Sequence, residues 1–216
     1  MYLGESCMKT TPEIRLITAG TGLFIWLIFM APAPYARAFD FKDVASIGAA
    51  YTTHLFLHEM GHQVIADEVG AESPKMSFFT RSGGTFYPGL STYKNIPEKS
   101  KLPYAVGGER MAGLTFDYAL KSYRHKATTY NKALMFFSCA DFFAYTLLAN
   151  YVNTDNDMYD PYLIREETGC SKGLLLSLVT AKSLINAYRV INPDANFAPV
   201  IWVDKSSAAL LLRFPF

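Results

Sequence analysis

His54-Leu-Phe-Leu-His58-Glu59-Met-Gly-His62 holds three of the chain's four histidines within nine residues, and its last five residues read H-E-x-x-H. The flanks predict one helix. Asp43 is a suitable N-cap, residues 44–69 contain no proline and are mostly apolar, and Gly70 is a natural stop. On that helix His58 and His62 stand one turn apart on the same face, so both imidazoles can converge on one metal ion with Glu59 beside them. A helix this apolar is expected to be buried, and buried histidines and a glutamate need partners that a metal supplies better than packing does. His54 is two turns from His62, about 12 Å along the axis. That is too far for both to bind one ion, so His54 is expected to support a ligand or pack in the core.

The composition narrows the setting. A net charge of +1 and a pI near 7.7 over 216 residues give no electrostatic case for nucleic acid. Half of the residues are hydrophobic, 15% are aromatic and 18% are charged, which is apolar for a secreted enzyme. A mean hydropathy of +0.10 is nevertheless low for a fully polytopic membrane protein, so membrane association is left open. Near the N-terminus, Lys9 and Arg15 precede an apolar stretch from Leu16 to Met30, and Ala36-Arg37-Ala38 is a small-x-small cleavage pattern. Residues 1–38 are therefore expected to be an export signal, or an uncleaved membrane anchor, ahead of one domain at 39–216. Either way the domain is expected outside the cytoplasm, periplasmic or otherwise extracytoplasmic, or attached to the membrane. Cys139 and Cys170 would remain as an even pair, either disulfide-bonded or as free buried thiols.

Beyond the motif helix, residues 76–80 and 85–87 flank Arg81-Ser-Gly-Gly84 and predict a β-hairpin. Residues 91–103, rich in Lys, Pro and Ser, predict a loop that borders the cleft or merely connects elements. Gly107-Gly108-Glu109 opens a helix to about Arg124, its glycines suited to close helix packing. Hydrophobic segments at 133–152 and 173–191 follow; the first carries Asp141 and the second Lys182 and Arg189. Between them, the acidic run 153–160 suggests calcium but lacks the glycine and the terminal glutamate of an EF-hand loop. Residues 199–203 and 208–214 are β-prone runs around the polar turn Asp204-Lys-Ser-Ser207. The expected fold is mainly α with a small β-element, an α+β domain built around the H-E-x-x-H helix.

At His58, Glu59 and His62 the chain resembles zincin metallopeptidases, and two families within that resemblance imply different third ligands. Gluzincins take a glutamate from a later helix; Glu109, with Ala112 and Gly113 after it, is similar to that E-x-x-A-D helix. Gly113 stands where the family has aspartate, so Asp117 would have to supply the supporting carboxylate. Site-2 proteases also run from an H-E-x-x-H helix through β-structure to a glycine-containing helix, and take the ligand from N-x-x-P-x-x-x-L-D-G. Asn196, Pro199 and Asp204 repeat that spacing, with Val203 for leucine and Lys205 for glycine. The resemblance covers short motifs, of which only H-E-x-x-H is specific.

The resemblance implies a zinc metallopeptidase acting on peptide or protein substrates. His58, His62 and Glu109 would be ligands to Zn2+, with Asp204 or Asp141 as alternative third ligands, and Glu59 would be general base and acid. A zinc ion lowers the pKa of its water to near neutrality, and an adjacent carboxylate can take up the proton released. The competing class is a non-catalytic envelope scaffold or binding protein with a closed metal site, which a fourth protein ligand would indicate.

Overall fold

The computed structural model describes residues 40–154 and 156–214, so the expected signal or anchor at 1–38 lies outside the described residues. The H-E-x-x-H helix, α1, runs Phe41–Glu68. Its N-cap is Asp40 rather than Asp43: Asp43 N donates to Asp40 Oδ1 at 2.9 Å, and Asp43 occupies the third helical position of a capping box. The helix ends as expected, with Gly70 at φ +68°, a left-handed conformation that a glycine takes without strain. Ala50, His54, His58, His62 and Ala66 are all buried on α1, a stripe at intervals of four that puts the histidines in the packing seam.

A hairpin follows, β1 (Lys75–Ser82) and β2 (Thr85–Thr92), antiparallel with Ser82 opposite Thr85. Its turn is Gly83-Gly84, both at positive φ, the conformation that two-residue hairpin loops require. Residues 91–103 differ from the expected loop. β2 extends to Thr92, and after a 3-10 turn at Glu98–Ser100 comes a short helix, α2 (Lys101–Ala105). Ser100, Leu102 and Tyr104 are buried, so this segment belongs to the core.

The remaining elements are α3 (Gly107–His125), α4 (Thr129–Leu147) continued by a π-helical turn (Leu148–Val152), α5 (Asp160–Thr168), α6 (Lys172–Ile191) and a terminal hairpin of β3 (Ala198–Val203) and β4 (Ala208–Arg213). The protein is thus mainly helical with two small antiparallel sheets, an α+β arrangement. The main core joins Phe116 and Leu120 of α3, Leu134, Met135 and Phe142 of α4, and Leu175 and Val179 of α6.

α1 crosses α3 at Gly61 and Gly107. A Cβ on Gly107 would meet the Gly61 carbonyl oxygen at 2.6 Å, and one on Gly61 would clash with the Gly107 backbone. Only glycine at both positions permits this approach. Thr129–Val152 and Lys172–Ile191 are each long and apolar enough to cross a membrane, with a mean hydropathy of 1.4, while also contributing to the core. Cys139 and Cys170 are free thiols, Cys139 buried and Cys170 partly exposed.

Candidate metal centre

Three side-chain atoms meet beside the α1 stripe. His58 Nε2 and His62 Nε2 are 3.3 Å apart, and Asp160 Oδ2 lies 3.4 Å from the first and 3.1 Å from the second. All three residues are buried. Donors bound tetrahedrally at the roughly 2.0–2.1 Å of zinc–nitrogen and zinc–oxygen bonds stand about 3.3–3.4 Å apart, which is the size of this triangle. The donor set, two imidazoles and a carboxylate, also fits zinc.

Neighbouring groups flank each of the three side chains. His62 Nδ1 donates to the Tyr104 carbonyl at 2.7 Å. A carbonyl can only accept, so the hydrogen sits on Nδ1 and the Nε2 lone pair is left facing the triangle. The short helix α2, through its Tyr104 carbonyl, therefore fixes the His62 ring. His58 Nδ1 lies 3.1 Å from Asp141 Oδ2, in ion-pair contact but outside hydrogen-bond alignment. Asp160 opens α5, where the adjacent Pro161 suits the first turn of a helix. The segment before it is tied to the hairpin by Asn156 Nδ2 donating to the Tyr87 hydroxyl at 2.6 Å and by Tyr159 packing edge-on against Tyr87 and Tyr145.

Glu59 is buried next to the triangle, against Gly89 of β2, where a Cβ would come within 2.5 Å of Glu59 Oε1. Ser91 Oγ donates to the Glu59 carbonyl at 3.1 Å, fastening the hairpin to α1. Burial pushes the Glu59 carboxyl above its ordinary pKa, against the opposing pull of His58 and His62. Burial disfavours charge on His58 and His62 as well, but carboxylates outweigh it and both pKa values are raised, by Asp141 and Asp160 at His58 and by Asp160 and Glu59 at His62. A cavity of about 280 Å³ opens beside the triangle, lined by Glu59, Asp141 and Asp160 and by apolar and aromatic groups including Leu55, Phe86 and Tyr145.

The structure places the expected third ligand away from the histidines. Glu109 does not join His58 and His62; its carboxylate is buried against the Lys182 ammonium of α6. The residue facing the histidines is Gly108, where a Cβ would clash with both Nε2 atoms. One step along a helix turns a side chain by about 100°, which carries Glu109 away from the histidines and towards α6. Asp117, expected to support that ligand, instead pairs with Arg189 at 2.8 Å and Arg213 at 3.1 Å. Asp204 lies in the turn of the terminal hairpin and accepts the Ser206 and Ser207 N–H groups, each at 2.8 Å. Asp141 reaches the His58 ring from its Nδ1 side and also lies 3.3 Å from His54 Nε2. In the sequence Asp160 is hidden as the last residue of the acidic run 153–160, which reads as a calcium-loop candidate. Its signal was the Asp-Pro pair, which places a carboxylate at a helix start just after an apolar helix.

No family model, curated protein or solved structure matches this chain.

Proposed function

We propose that the chain is a membrane-associated zinc metallopeptidase in which His58, His62 and Asp160 hold the metal and Glu59 is the general base and acid. The observation that carries this reading is the triangle of two Nε2 atoms and one carboxylate oxygen with edges of 3.1–3.4 Å. Charge supports it too. Glu59, Asp141 and Asp160 line one cavity with no lysine or arginine among the lining residues, so a cation between the histidines relieves their mutual repulsion. Three protein donors beside an open cavity are the arrangement of a catalytic rather than a closed structural site.

When bound, zinc supplies Lewis acidity and lowers the pKa of coordinated water. Glu59 stands ready to take a proton and return it to the leaving amine. Its buried carboxyl, pushed upward in pKa by burial, holds a proton more readily than an exposed glutamate does. β2 forms one wall of the cavity with Phe86, Tyr87 and Leu90, while Leu55, Ala144 and Leu148 form the other. These surfaces suit a peptide with a large apolar side chain next to the scissile bond. An aspartate as third ligand, delivered after an apolar helix, favours the site-2 type over the gluzincin type, although through Asp160 and not through Asp204. Export of the domain, and its attachment through the 129–152 and 172–191 helices, belong to the same proposal.

The test is a fluorogenic peptide with an apolar residue at the cleaved bond, presented to the detergent-solubilised protein with about one zinc per chain. Glu59→Gln is expected to retain zinc and fold while activity falls at least ~100-fold. Equal activity in parent and variant would refute the mechanism. A zinc-loaded parent inactive on a broad peptide library would return the chain to the scaffold class.

A further inference from the structure

His54 and Asp141 stand outside the triangle, yet both are tied to it. Asp141 Oδ2, projecting from α4, lies 3.3 Å from His54 Nε2 and 3.1 Å from His58 Nδ1. One oxygen thus faces two rings that sit one turn apart on α1. Three residues earlier on α4, Ser138 Oγ lies 3.3 Å from His54 Nδ1. One assignment of hydrogens agrees with these contacts: Ser138 O–H donates to His54 Nδ1, His54 Nε2–H faces Asp141, and His58 carries its hydrogen on Nδ1 on the side of the same oxygen, in ion-pair contact rather than an aligned hydrogen bond. That assignment leaves the His58 Nε2 lone pair in the triangle. His54 is buried, whereas the Asp141 side chain is 35% exposed at the cavity wall. Held by His58 alone, the Asp141 carboxylate could swing into the cavity; a second, buried ring holds it in place.

We propose that His54 and Asp141 form a positioning pair that acts through His58, fixing its tautomer and ring orientation and strengthening it as a ligand. This rests on the reading of His58, His62 and Asp160 as metal ligands. Asp141 supplies the carboxylate, and His54 contributes only by holding that carboxylate against His58. The two residues therefore act as one unit.

The experiment is zinc affinity by chelator competition on the full chain, with thermal unfolding of each zinc-free variant as the check on folding. Asp141→Ala is expected to weaken zinc binding by ~10–100-fold, the usual cost of losing a group that orients a metal-binding histidine. Asp141→Asn keeps an oxygen towards the rings and should recover part of that loss; it also carries the test if the alanine variant does not fold. His54→Ala should weaken binding less, within ~10-fold. The double variant His54→Ala/Asp141→Ala should be no worse than Asp141→Ala, because His54 acts through Asp141. With cobalt in place of zinc, the visible bands should shift in Asp141→Asn and His54→Ala alike.

Additive losses in the double variant, or parental zinc affinity in folded Asp141→Asn and Asp141→Ala, would overturn the positioning pair. Two zinc ions per parent chain, falling to one in His54→Ala, would overturn it in favour of a second metal site. Failure of the underlying ligand set looks different: zinc would then persist undiminished in His58→Ala and His62→Ala.

Discussion

Glu109 and Asp160 are both buried carboxylates, 3% and 6% exposed, yet they meet opposite surroundings. Glu109 faces Lys182, a fixed positive charge on α6, and the pair is balanced within the protein. Asp160 faces two imidazoles, on a cavity wall that also carries Asp141 and Glu59. A carboxylate that already has a lysine is satisfied and serves packing. One that has only histidines and other carboxylates for company needs a cation, whether protons on the rings or a metal ion. The difference separates a structural ion pair from a candidate metal site more sharply than the type of acid does.

Exchanging each acid for its amide should break that comparison most forcefully. Asp160→Asn is expected to weaken zinc binding at least ~100-fold, because a charged ligand is replaced by a neutral amide. Glu109→Gln should keep the zinc and instead lose about 3–5 kcal/mol of folding stability, since it strands the Lys182 ammonium in the core. Chelator competition and denaturant unfolding of both variants check the two arms. Zinc loss in Glu109→Gln with retention in Asp160→Asn would reverse the assignment.

The pH dependence of the zinc-free protein sharpens it further. Burial works against charge on His58 and His62, but the neighbouring carboxylates raise both pKa values above the ordinary one. Their contribution to stability is complete below about pH 6.5, the ordinary histidine value, and is lost as pH rises through the raised values. Burial likewise opposes the Asp160 carboxylate, but His62 and His58 hold its pKa below the usual range. Its contribution is present above about pH 4 and is lost as pH falls through the lowered value. The zinc-free protein should therefore be most stable between about pH 4 and 6.5 and weaken towards alkaline pH. Zinc, which binds neutral imidazole, should remove the alkaline loss. Denaturant midpoints with and without zinc at about pH 5.5 and about pH 9 measure this; a zinc-free protein no weaker at the alkaline end would contradict it.

The smallest effect is expected at the other proposed acid. Asp204→Asn leaves zinc content and affinity unchanged, because that carboxylate serves only the Asp204–Ser207 turn. Zinc loss in this variant alone would restore the N-x-x-P spacing as the source of the third ligand.

Much of this architecture was legible in the chain. The motif helix, its stop at Gly70, the hairpin around Gly83-Gly84, the glycine-led helix at 107 and the terminal hairpin each rest on local chemistry: caps, apolar runs and glycines at positive φ. His58, Glu59 and His62 were legible for the same reason, since helical spacing alone puts both histidines on one face. The partners were not. Asp160 lies 102 residues from His58, and Lys182 lies 73 from Glu109. Nothing local distinguishes an acid aimed at a histidine from one aimed at a lysine. That choice depends on how far each helix is rotated about its axis, and the rotation is set by the close contact of Gly61 with Gly107, by Gly108 against the imidazoles and by the tyrosines that hold the start of α5. The sequence by itself determined that two imidazoles share a helix face with a glutamate beside them. Only tertiary packing decided which carboxylate completes the triangle, because a turn of about 100° between adjacent helical residues is enough to exchange a ligand for an ion-pair partner.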